Sequence, residues 1–462
     1  MSRTMKVLFA IHGFPPQQLG GSEIYAFALA KAIKRQGHEV VVFARTFDPD
    51  VYSYHLREDE IDGIRVIRAV NNRTDISYFA DHLIDKKMRE LFVSTLQREK
   101  PDVVHFQHLI FLSGDLPAVT RSLGVPSVVT LHDYWYFCVG VNLFRPDKTR
   151  CYGPEDGASC VSCVPKAGMI DKLYGTERIR SLLKKAFPKR LKEMVRSSVL
   201  EKCPSQPVGR PEDDAERRQV FSSRIAFFKR QLSNSDLIIS PSVHVQKRYT
   251  EQGFGDILFV PMGIEPMPVV KKKSAGKTLR LGFVGNINPP KGLVLLLEEL
   301  KLLEDRDNIE LHIFGQTLDE KYFRRELSFL SDADLKNMKF HGRFERDAES
   351  LRNIYEGIDV LVFPSLCEEN SPLVVRESLL TGTPVIASNI GGVPENVMDG
   401  RNGLLFDPYV KGDLARKIES LLKDRKLLSE LSKGASETKV LLIDEHAAQM
   451  LDLYAGVTKR TA

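Results

Sequence analysis

Two patterns of apolar and polar residues alternate along the chain. A strand-like run over residues 6–11, apolar from Val7 onward, is typical of a buried strand. The next run, from about Ser22 to Gln36, has the three- and four-residue spacing of an amphipathic helix. Another apolar run over residues 39–44 completes a β-α-β unit. Ser22 is the predicted N-cap of the helix, and Gly37 is its predicted stop.

The alternation continues and then restarts after a break. Residues 267–277 are rich in Pro, Lys and Gly, which is a linker composition. Further strands are predicted before it, at residues 103–106, 127–131 and 237–240, and after it, at 281–284, 310–314, 360–363 and 385–388. Helices are predicted from Leu293, around Leu351 and from Pro372. This pattern predicts an α/β fold built from two successive parallel-sheet domains.

These boundaries divide the chain into three parts. Residues 1–266 form a predicted N-terminal α/β domain, residues 278–440 a predicted C-terminal α/β domain, and residues 441–462 a C-terminal helix that packs back on the first domain. Residues 138–235 interrupt the first domain with a cysteine-containing loop and a basic helical insertion.

Length and composition are consistent with this division. A chain of 462 residues is too long for one ordinary core, and 42% apolar with 27% charged residues is typical of a globular protein. The apolar run at the N-terminus has five residues, which is shorter than a secretory signal, and no run reaches the roughly 18 apolar residues that span a bilayer. We therefore expect a cytoplasmic protein whose six cysteines are thiols or metal ligands rather than disulfides.

Charge is concentrated in one segment. Residues 166–230 contain 17 Lys or Arg and 8 Asp or Glu, a net +9 in a chain whose total is +5. A solvated helical face is one explanation, and an anionic partner such as the inner membrane face or a lipid-pyrophosphate acceptor is the other. No recognition motif supports nucleic acid as a partner.

The most specific motif is PSLCEENSPLVVRESLLTGTPVIASNIGG at residues 364–392. A helix starting at Ser371 or Pro372, with Ser371 as its cap, directs its unpaired N–H groups and the positive end of its dipole towards the preceding loop, which suits a pyrophosphate. Glu369 precedes this helix and Glu377 lies one and a half turns into it, so both carboxylates can accept hydrogen bonds from sugar hydroxyls.

These residues carry a family resemblance. Glu369, seven residues and Glu377, followed by Gly-Thr-Pro-Val and Gly-Gly, resemble the retaining glycosyltransferases of family 4, which have the GT-B fold of two Rossmann-like domains facing across a cleft. The resemblance implies that residues 1–266 are a Rossmann-like acceptor domain and residues 278–440 a Rossmann-like nucleotide-sugar-binding domain. It also implies that Glu369 contacts the transferred sugar and Glu377 the donor ribose. It also implies that the backbone from Ser371 through Pro372 to Leu373 holds phosphate or sugar oxygens.

A second motif of the family is GFVGNINPPKG at residues 282–292. Lys291 corresponds to the lysine that the family places on the donor diphosphate, where its charge offsets that of the leaving group. Asn286 stands where the family usually has arginine, and an amide cannot make the bidentate phosphate contact of a guanidinium. Arg343 and Arg376 are the candidate replacements.

Two further signals lie in the first domain. Gly20 and Gly21 resemble the family's glycine loop, which approaches the donor phosphate or the acceptor; they do not form the G-x-G-x-x-G of an NAD enzyme. His132 follows a predicted strand at its carboxyl end, where α/β folds bind ligands, and the family carries a sugar-contacting histidine there. Asp133 is the expected partner that fixes the tautomer of this ring.

Four cysteines cluster after this histidine, and two explanations stay open. They can remain free thiols, or they can close a tetrahedral structural zinc site. The spacings fit no standard zinc finger, and we assign the cysteines no catalytic role. The four residues are Cys138, Cys151, Cys160 and Cys163.

The resemblance implies transfer of a hexose-type sugar from a nucleotide-sugar donor to a saccharide or lipid-linked acceptor, with no catalytic metal or other cofactor. TLHDYW followed by cysteines resembles enzymes of surface polysaccharide biosynthesis, some of them peripheral at the membrane. Two alternatives remain. Asn286, and Met262 where relatives carry Asn, are compatible with a nucleotide-sugar-binding protein without transfer activity, and a GT-B-fold sugar-nucleotide epimerase has the same architecture.

Overall fold

The fold is taken from a computed structural model, which describes residues 4–72, 83–164, 213–270, 277–317, 320–331, 334 and 336–461. It contains two sheets flanked by helices, which confirms the predicted class of two parallel-sheet α/β domains. Most of the basic segment, residues 165–212, lies outside the described residues.

The first sheet has eight strands in the order β3-β4-β2-β1-β5-β6-β7-β8. Within the described strands of this sheet, β3 and β4 pair antiparallel and the other neighbours pair parallel. The strands are β1 (Lys6–Ile11), β2 (Glu39–Thr46), β3 (Leu56–Ile61), β4 (Ile64–Val70), β5 (Val103–Phe106), β6 (Ser127–Thr130), β7 (Leu237–Ser240) and β8 (Leu258–Phe259). Strand order reverses direction between β1 and β5, and such a point is where doubly wound sheets bind ligands.

Among the residues that the structure describes, six helices belong to this half of the chain. They are α1 (Gly21–Arg35), α2 (Lys86–Glu99), α3 (Leu116–Ser122), α4 (Ala158–Cys163), α5 (Asp214–Leu232) and α6 (Val243–Glu251). The N-cap of α1 is Gly20 rather than the predicted Ser22, which lies within the first turn. Gly37 ends the helix in the left-handed conformation at φ +86°, as predicted.

The second sheet has six parallel strands in the order β11-β10-β9-β12-β13-β14. The strands are β9 (Leu279–Val284), β10 (Ile309–Phe314), β11 (Met338–Gly342), β12 (Val360–Phe363), β13 (Val385–Ser388) and β14 (Gly403–Phe406). The helices are α7 (Leu293–Leu300), α8 (Glu320–Glu326), α9 (Ala348–Gly357), α10 (Leu373–Leu380), α11 (Asp413–Lys423) and α12 (Arg425–Ser436). The reversal of strand order falls between β9 and β12.

The last helix, α13 (Ile443–Thr461), returns to the first domain. Ile443, Met450 and Tyr454 belong to the same buried cluster as β1 and α1. The outgoing and returning segments run side by side, because the N–H of Ile264 donates to the carbonyl of Leu441 at 3.1 Å and the N–H of Ile443 donates to the carbonyl of Ile264 at 2.8 Å. The two domains are therefore joined by two adjacent crossings.

No helix among the described residues is long and apolar enough to cross a membrane.

Candidate active site in the interdomain cleft

The carboxyl ends of both sheets open into one cleft between the domains, with a volume of about 420 Å³. Loops after β1 and β6 form one wall, and loops after β9, β10 and β12 form the other. Most residues predicted for the site line this cleft: Gly20, Gly21, His132, Asn286, Lys291, Glu369, Ser371, Pro372 and Leu373. Residues far apart in sequence thus meet at one place.

A glycine brings two loops of the second domain together. Gly292 has φ +72°, and a Cβ there would lie 1.8 Å from the carbonyl oxygen of Pro364. Any other residue would push the two loops apart. The contact is reinforced because the N–H of Leu366 donates to the carbonyl of Pro290 at 2.8 Å. Lys291 is thereby held against the loop that follows β12.

Lys291 and Glu369 form an ion pair in the cleft, with Nζ 2.6 Å from Oε1. Burial would lower the pKa of Lys291, but the carboxylate outweighs it and the pKa is raised. Burial would likewise raise the pKa of Glu369, yet the ammonium, together with the Ser365 hydroxyl at 2.9 Å, holds that pKa below its ordinary value. Both groups are charged at neutral pH, and each is the counterion of the other.

The N-terminus of α10 faces the same space. Its N-cap is Pro372, in an extended conformation, and the helix begins at Leu373, so the predicted cap Ser371 is one position too early. The first N–H groups of a helix have no intrahelical acceptor, and they carry the positive end of the helix dipole. Leu373 and Val374 line the cleft. This wall can therefore accept an anion.

Glu377 lies one layer behind the lining. Its carboxylate is buried, paired with Arg346 and hydrogen-bonded by the hydroxyl of Tyr355 at 2.9 Å. Arg346 itself reaches the cleft. Glu369 lines the cleft, whereas Glu377 does not, and the guanidinium of Arg346 pairs with the carboxylate of Glu377. That both glutamates face one ligand stays a prediction.

The two candidate replacements for the missing arginine at Asn286 differ in position. Arg343 lines the cleft, is exposed, and has no ion pair among the residues that the structure describes. Arg376 is buried, and its burial lowers the pKa to about 10. Arg376 points towards the domain crossing, where its Nη2 approaches the Leu441 carbonyl at 3.5 Å. Of the two, Arg343 is the one placed to meet a ligand.

His132 stands on the opposite wall, at the end of β6. Its Nε2 lies 2.8 Å from Oε1 of Gln107, and its ring contacts Tyr25 edge-on at 5.3 Å. An amide oxygen only accepts, so Nε2 carries the proton and Nδ1 is an acceptor. Burial, reinforced by the neighbouring His108, lowers the pKa of His132 to about 3. The ring is therefore neutral at physiological pH.

Asp133 has a different partner from the one predicted. Its Oδ2 lies 2.9 Å from Nε2 of His108, and its Oδ1 accepts the N–H of Trp135 at 2.8 Å. The tautomer of His132 is set by Gln107, not by Asp133. The reason is strand order, because β5 lies beside β6 and places Gln107 and His108 next to the residues that follow β6.

The comparisons with known proteins agree with this geometry. The family model described as Glycosyl transferases group 1 matches residues 269–438, and the model described as Glycosyltransferase Family 4 matches residues 19–155. The chain belongs to the GT-B glycosyltransferases of family 4, group 1.

Named relatives align over part of the chain. An uncharacterized glycosyltransferase of Methanocaldococcus jannaschii is 26% identical over 211 residues, which are 46% of this chain and 56% of that protein. A D-inositol 3-phosphate glycosyltransferase of Paenarthrobacter aurescens is 31% identical over 157 residues, 33% of this chain and 38% of that protein. The alignments thus span between about two fifths and just over half of these two relatives.

A solved structure shows the same fold over almost the whole chain. The sucrose-phosphate synthase of Thermosynechococcus elongatus superposes with a TM-score of 0.67 at 21% identity, covering 99% of this chain and 100% of that one. At this identity the likeness concerns the fold alone.

Sequence reasoning missed several residues around the glycosyltransferase cleft. His12 follows β1 and pairs with Glu23 of α1, with Nε2 3.2 Å from Oε1. Burial would raise the pKa of Glu23, but His12 outweighs it and the pKa falls to about 2. The rule that selected His132, a polar residue directly after a buried strand, also applies to His12 and to Gln107. Nothing local in the sequence distinguishes Arg346.

Of the four clustered cysteines, Cys151 is buried and the other three are partly buried. Burial raises the pKa of Cys138 and of Cys160 to about 12, so these thiols stay protonated at neutral pH. Throughout the described ranges, which contain all four cysteines of the cluster, no three His, Cys, Asp or Glu side chains are arranged to hold a metal ion. Free thiols and a structural zinc site both remain predictions for these four cysteines.

Proposed function

We propose that this protein is a retaining glycosyltransferase that moves a hexose-type sugar from a nucleotide-sugar donor to a saccharide or lipid-linked acceptor. The observation that carries the proposal is the Lys291–Glu369 ion pair at the bare N-terminus of α10, across one cleft from a neutral His132. Cations and free N–H groups suit a diphosphate, and the carboxylate and the imidazole suit sugar hydroxyls.

Donor binding would rearrange these charges. A diphosphate at the start of α10 competes with Glu369 for Lys291. It also attracts the exposed Arg343, whose guanidinium replaces the arginine that the family usually has at the position of Asn286. Glu369, released from Lys291, accepts a hydrogen bond from the transferred sugar. Glu377 would accept from the ribose once Arg346 turns towards the phosphates. Arg346 thus pairs with Glu377 before the donor binds and adds positive charge at the phosphates when the donor is bound.

The proposed chemistry uses these groups without a protein nucleophile. The bond from the anomeric carbon to the diphosphate oxygen breaks, and the acceptor oxygen bonds to that carbon from the same face. The acceptor proton passes to the departing phosphate oxygen. Lys291 and the N–H groups of α10 stabilise the negative charge on the leaving group. The closed cleft would keep water from the same carbon.

Donor binding is tested by thermal shift with UDP-, GDP- and ADP-sugars, because a ligand that binds only the native state stabilises it. One nucleotide class is expected to raise the melting temperature, and Glu377→Ala is expected to abolish the rise. Glu430→Ala is the matched control, since Glu430 is exposed on α12 and lies away from the cleft. An undiminished rise in Glu377→Ala would refute the ribose assignment.

Product analysis separates transfer from the two alternatives. The stabilising donor is incubated alone and with saccharide and lipid-linked acceptors. A glycosylated product with retained configuration supports the proposal. An epimerised sugar nucleotide from donor alone identifies an epimerase. Binding without any product identifies a binding protein.

Attachment to the inner membrane face is a further part of the proposal, based on the +9 charge of residues 166–230. Flotation with vesicles containing anionic phosphatidylglycerol, compared with neutral phosphatidylcholine vesicles, tests it. Equal recovery with both lipids would refute it.

A further inference from the structure

A second groove lies on the other side of the loop that carries Glu368. Its volume is about 420 Å³, and both domains line it. Thr149, Arg150 and Tyr152 come from the cysteine-containing loop of the first domain, and Asn389, Asp407 and Tyr409 come from the ends of β13 and β14. A concave site of this size fits a small ligand.

The groove combines aromatic faces with hydrogen-bonding groups. Tyr152 is 67% exposed and Tyr409 is 45% exposed, so both rings offer surface to a ligand in the groove. Asn389 and Asp407 are also exposed and contribute an amide and a carboxylate. Sugar rings present C–H faces that pack on aromatic rings, and hydroxyl edges that donate to carboxylates and pair with amides.

The charges favour a neutral ligand over an anion. Arg150 is the only Lys or Arg among the described residues of this lining, and its guanidinium is already paired with the buried Glu368 at 2.8 Å. Asp407 adds an exposed negative charge. A phosphate or diphosphate would face this carboxylate and compete with a buried one for its cation.

The groove is connected to the loop that carries the reacting groups. The hydroxyl of Tyr409 donates to the carbonyl of Leu366 at 2.6 Å. Leu366 precedes Glu368, which lines the central cleft, and Glu369, which pairs with Lys291 there. The lining residues of the two spaces are therefore separated by one short loop.

The geometry points to a saccharide-binding subsite in this groove, which holds a neutral sugar unit of the acceptor against Tyr152 and Tyr409 while the central cleft holds the donor. This inference rests on the proposed function for its acceptor, but its binding test does not. Asn389 and Asp407 take the hydroxyls of that sugar.

The test is saturation-transfer-difference NMR on the full chain, with methyl α-D-glucopyranoside, methyl α-D-galactopyranoside, maltose and N,N′-diacetylchitobiose as separate probes. At least one probe is expected to receive saturation from the wild-type protein. The saturation-transfer signal of that probe is expected to be at least five-fold weaker with the Tyr152→Ala variant. Tyr152→Phe, which keeps the ring, is the matched control and is expected to retain it.

The other outcomes overturn the inference. They are no signal with any probe, equal signals in wild type and Tyr152→Ala, or loss of the signal in Tyr152→Phe as well. Binding of inorganic pyrophosphate is measured by the line width of its phosphorus signal. If this binding depends on Tyr152, the groove is an anion site instead. Melting temperatures check the fold of each variant. Nucleotide-sugar stabilisation, measured on the same samples, reports failure of the proposed function separately.

Discussion

Removing the charge of Glu368 should weaken the domain interface. This carboxylate comes from the second domain, its side chain is 0% exposed, and all three of its cationic or imidazole partners come from the first domain. Arg150 lies at 2.8 Å, His244 at 2.8 Å and Arg248 at 3.1 Å. Glu368→Gln keeps the shape and one acceptor oxygen but leaves Arg150 without its carboxylate partner and Arg248 with only the half-exposed Glu251.

The cost follows from burial and partner number. Breaking a buried ion pair from one side costs about 3–5 kcal/mol, and one hydrogen bond to a charged group contributes about 1.5–3 kcal/mol. Arg150 and Arg248 are partly exposed, so water can take over part of their solvation. We therefore expect Glu368→Gln to lower the free energy of unfolding by about 2–4 kcal/mol.

The loss should also depend on pH. Burial would raise the pKa of Glu368, but the hydrogen bond from His244 and the charge of Arg248 outweigh it, and the pKa is lowered. A carboxylate with a lowered pKa in the folded state contributes stability above its unfolded pKa of about 4.3, and loses that contribution as the pH falls through the folded pKa. The difference between wild type and Glu368→Gln should thus be full at pH 7 and shrink below about pH 4.3.

Urea denaturation at several pH values measures this difference. Glu251→Gln is the matched control, because Glu251 contacts the same Arg248 at 3.1 Å but is 43% exposed, and it should change stability by less than about 0.5 kcal/mol. A Glu368→Gln effect no larger than that of the control at pH 7 would refute the reasoning. So would an effect that is unchanged down to pH 3.5.

Three further predictions concern the site and the core. Lys291→Ala should lower kcat by about 10²–10³-fold, because it removes a preorganised cation from the leaving group. The control Lys426→Ala changes a side chain that is 85% exposed and should leave kcat unchanged. Steady-state kinetics of the two variants test this prediction. Gly292→Ala should destabilise the second domain and separate Lys291 from its partner, because a Cβ there lies 1.8 Å from a carbonyl oxygen; urea denaturation at wild-type stability would contradict this. Burial lowers the pKa of His446 to about 4. The free energy of unfolding should therefore fall as the pH drops below about 6.5, with this ring contributing about 1.4 kcal/mol per pH unit. His446→Gln should reduce that slope in denaturation curves measured at several pH values.

Buried strands were predictable because they are continuous apolar runs. Residues 103–106, 237–240, 360–363 and 385–388 are strands with the predicted bounds. The hairpin of β3 and β4 was missed because β3 is LREDEI, an edge strand whose middle residues are exposed and charged. Its pattern carries no apolar run for sequence reasoning to detect.

Site residues were predictable where a local rule places them, and not where a distant partner decides. Glu369 was placed by the strand end and the helix start around it, and Lys291 by the resemblance to family 4; both residues lie in the cleft. The partner of Asp133 depends on which strand lies beside β6. The partner of Glu377 is Arg346, thirty-one residues earlier in the sequence. Such pairings follow from tertiary packing, which the spacing of residues along one element does not report.

The return of α13 to the first domain has a consequence for biosynthesis. Met450 and Tyr454 fill the same buried cluster as Phe9 and Leu29, near the other end of the chain. During translation the first domain therefore emerges with part of its apolar surface uncovered, and it stays so until the ribosome has released residues beyond 454. We infer that the first domain completes its folding only after the second domain has been synthesised. We also infer that the nascent chain needs protection from aggregation during that interval.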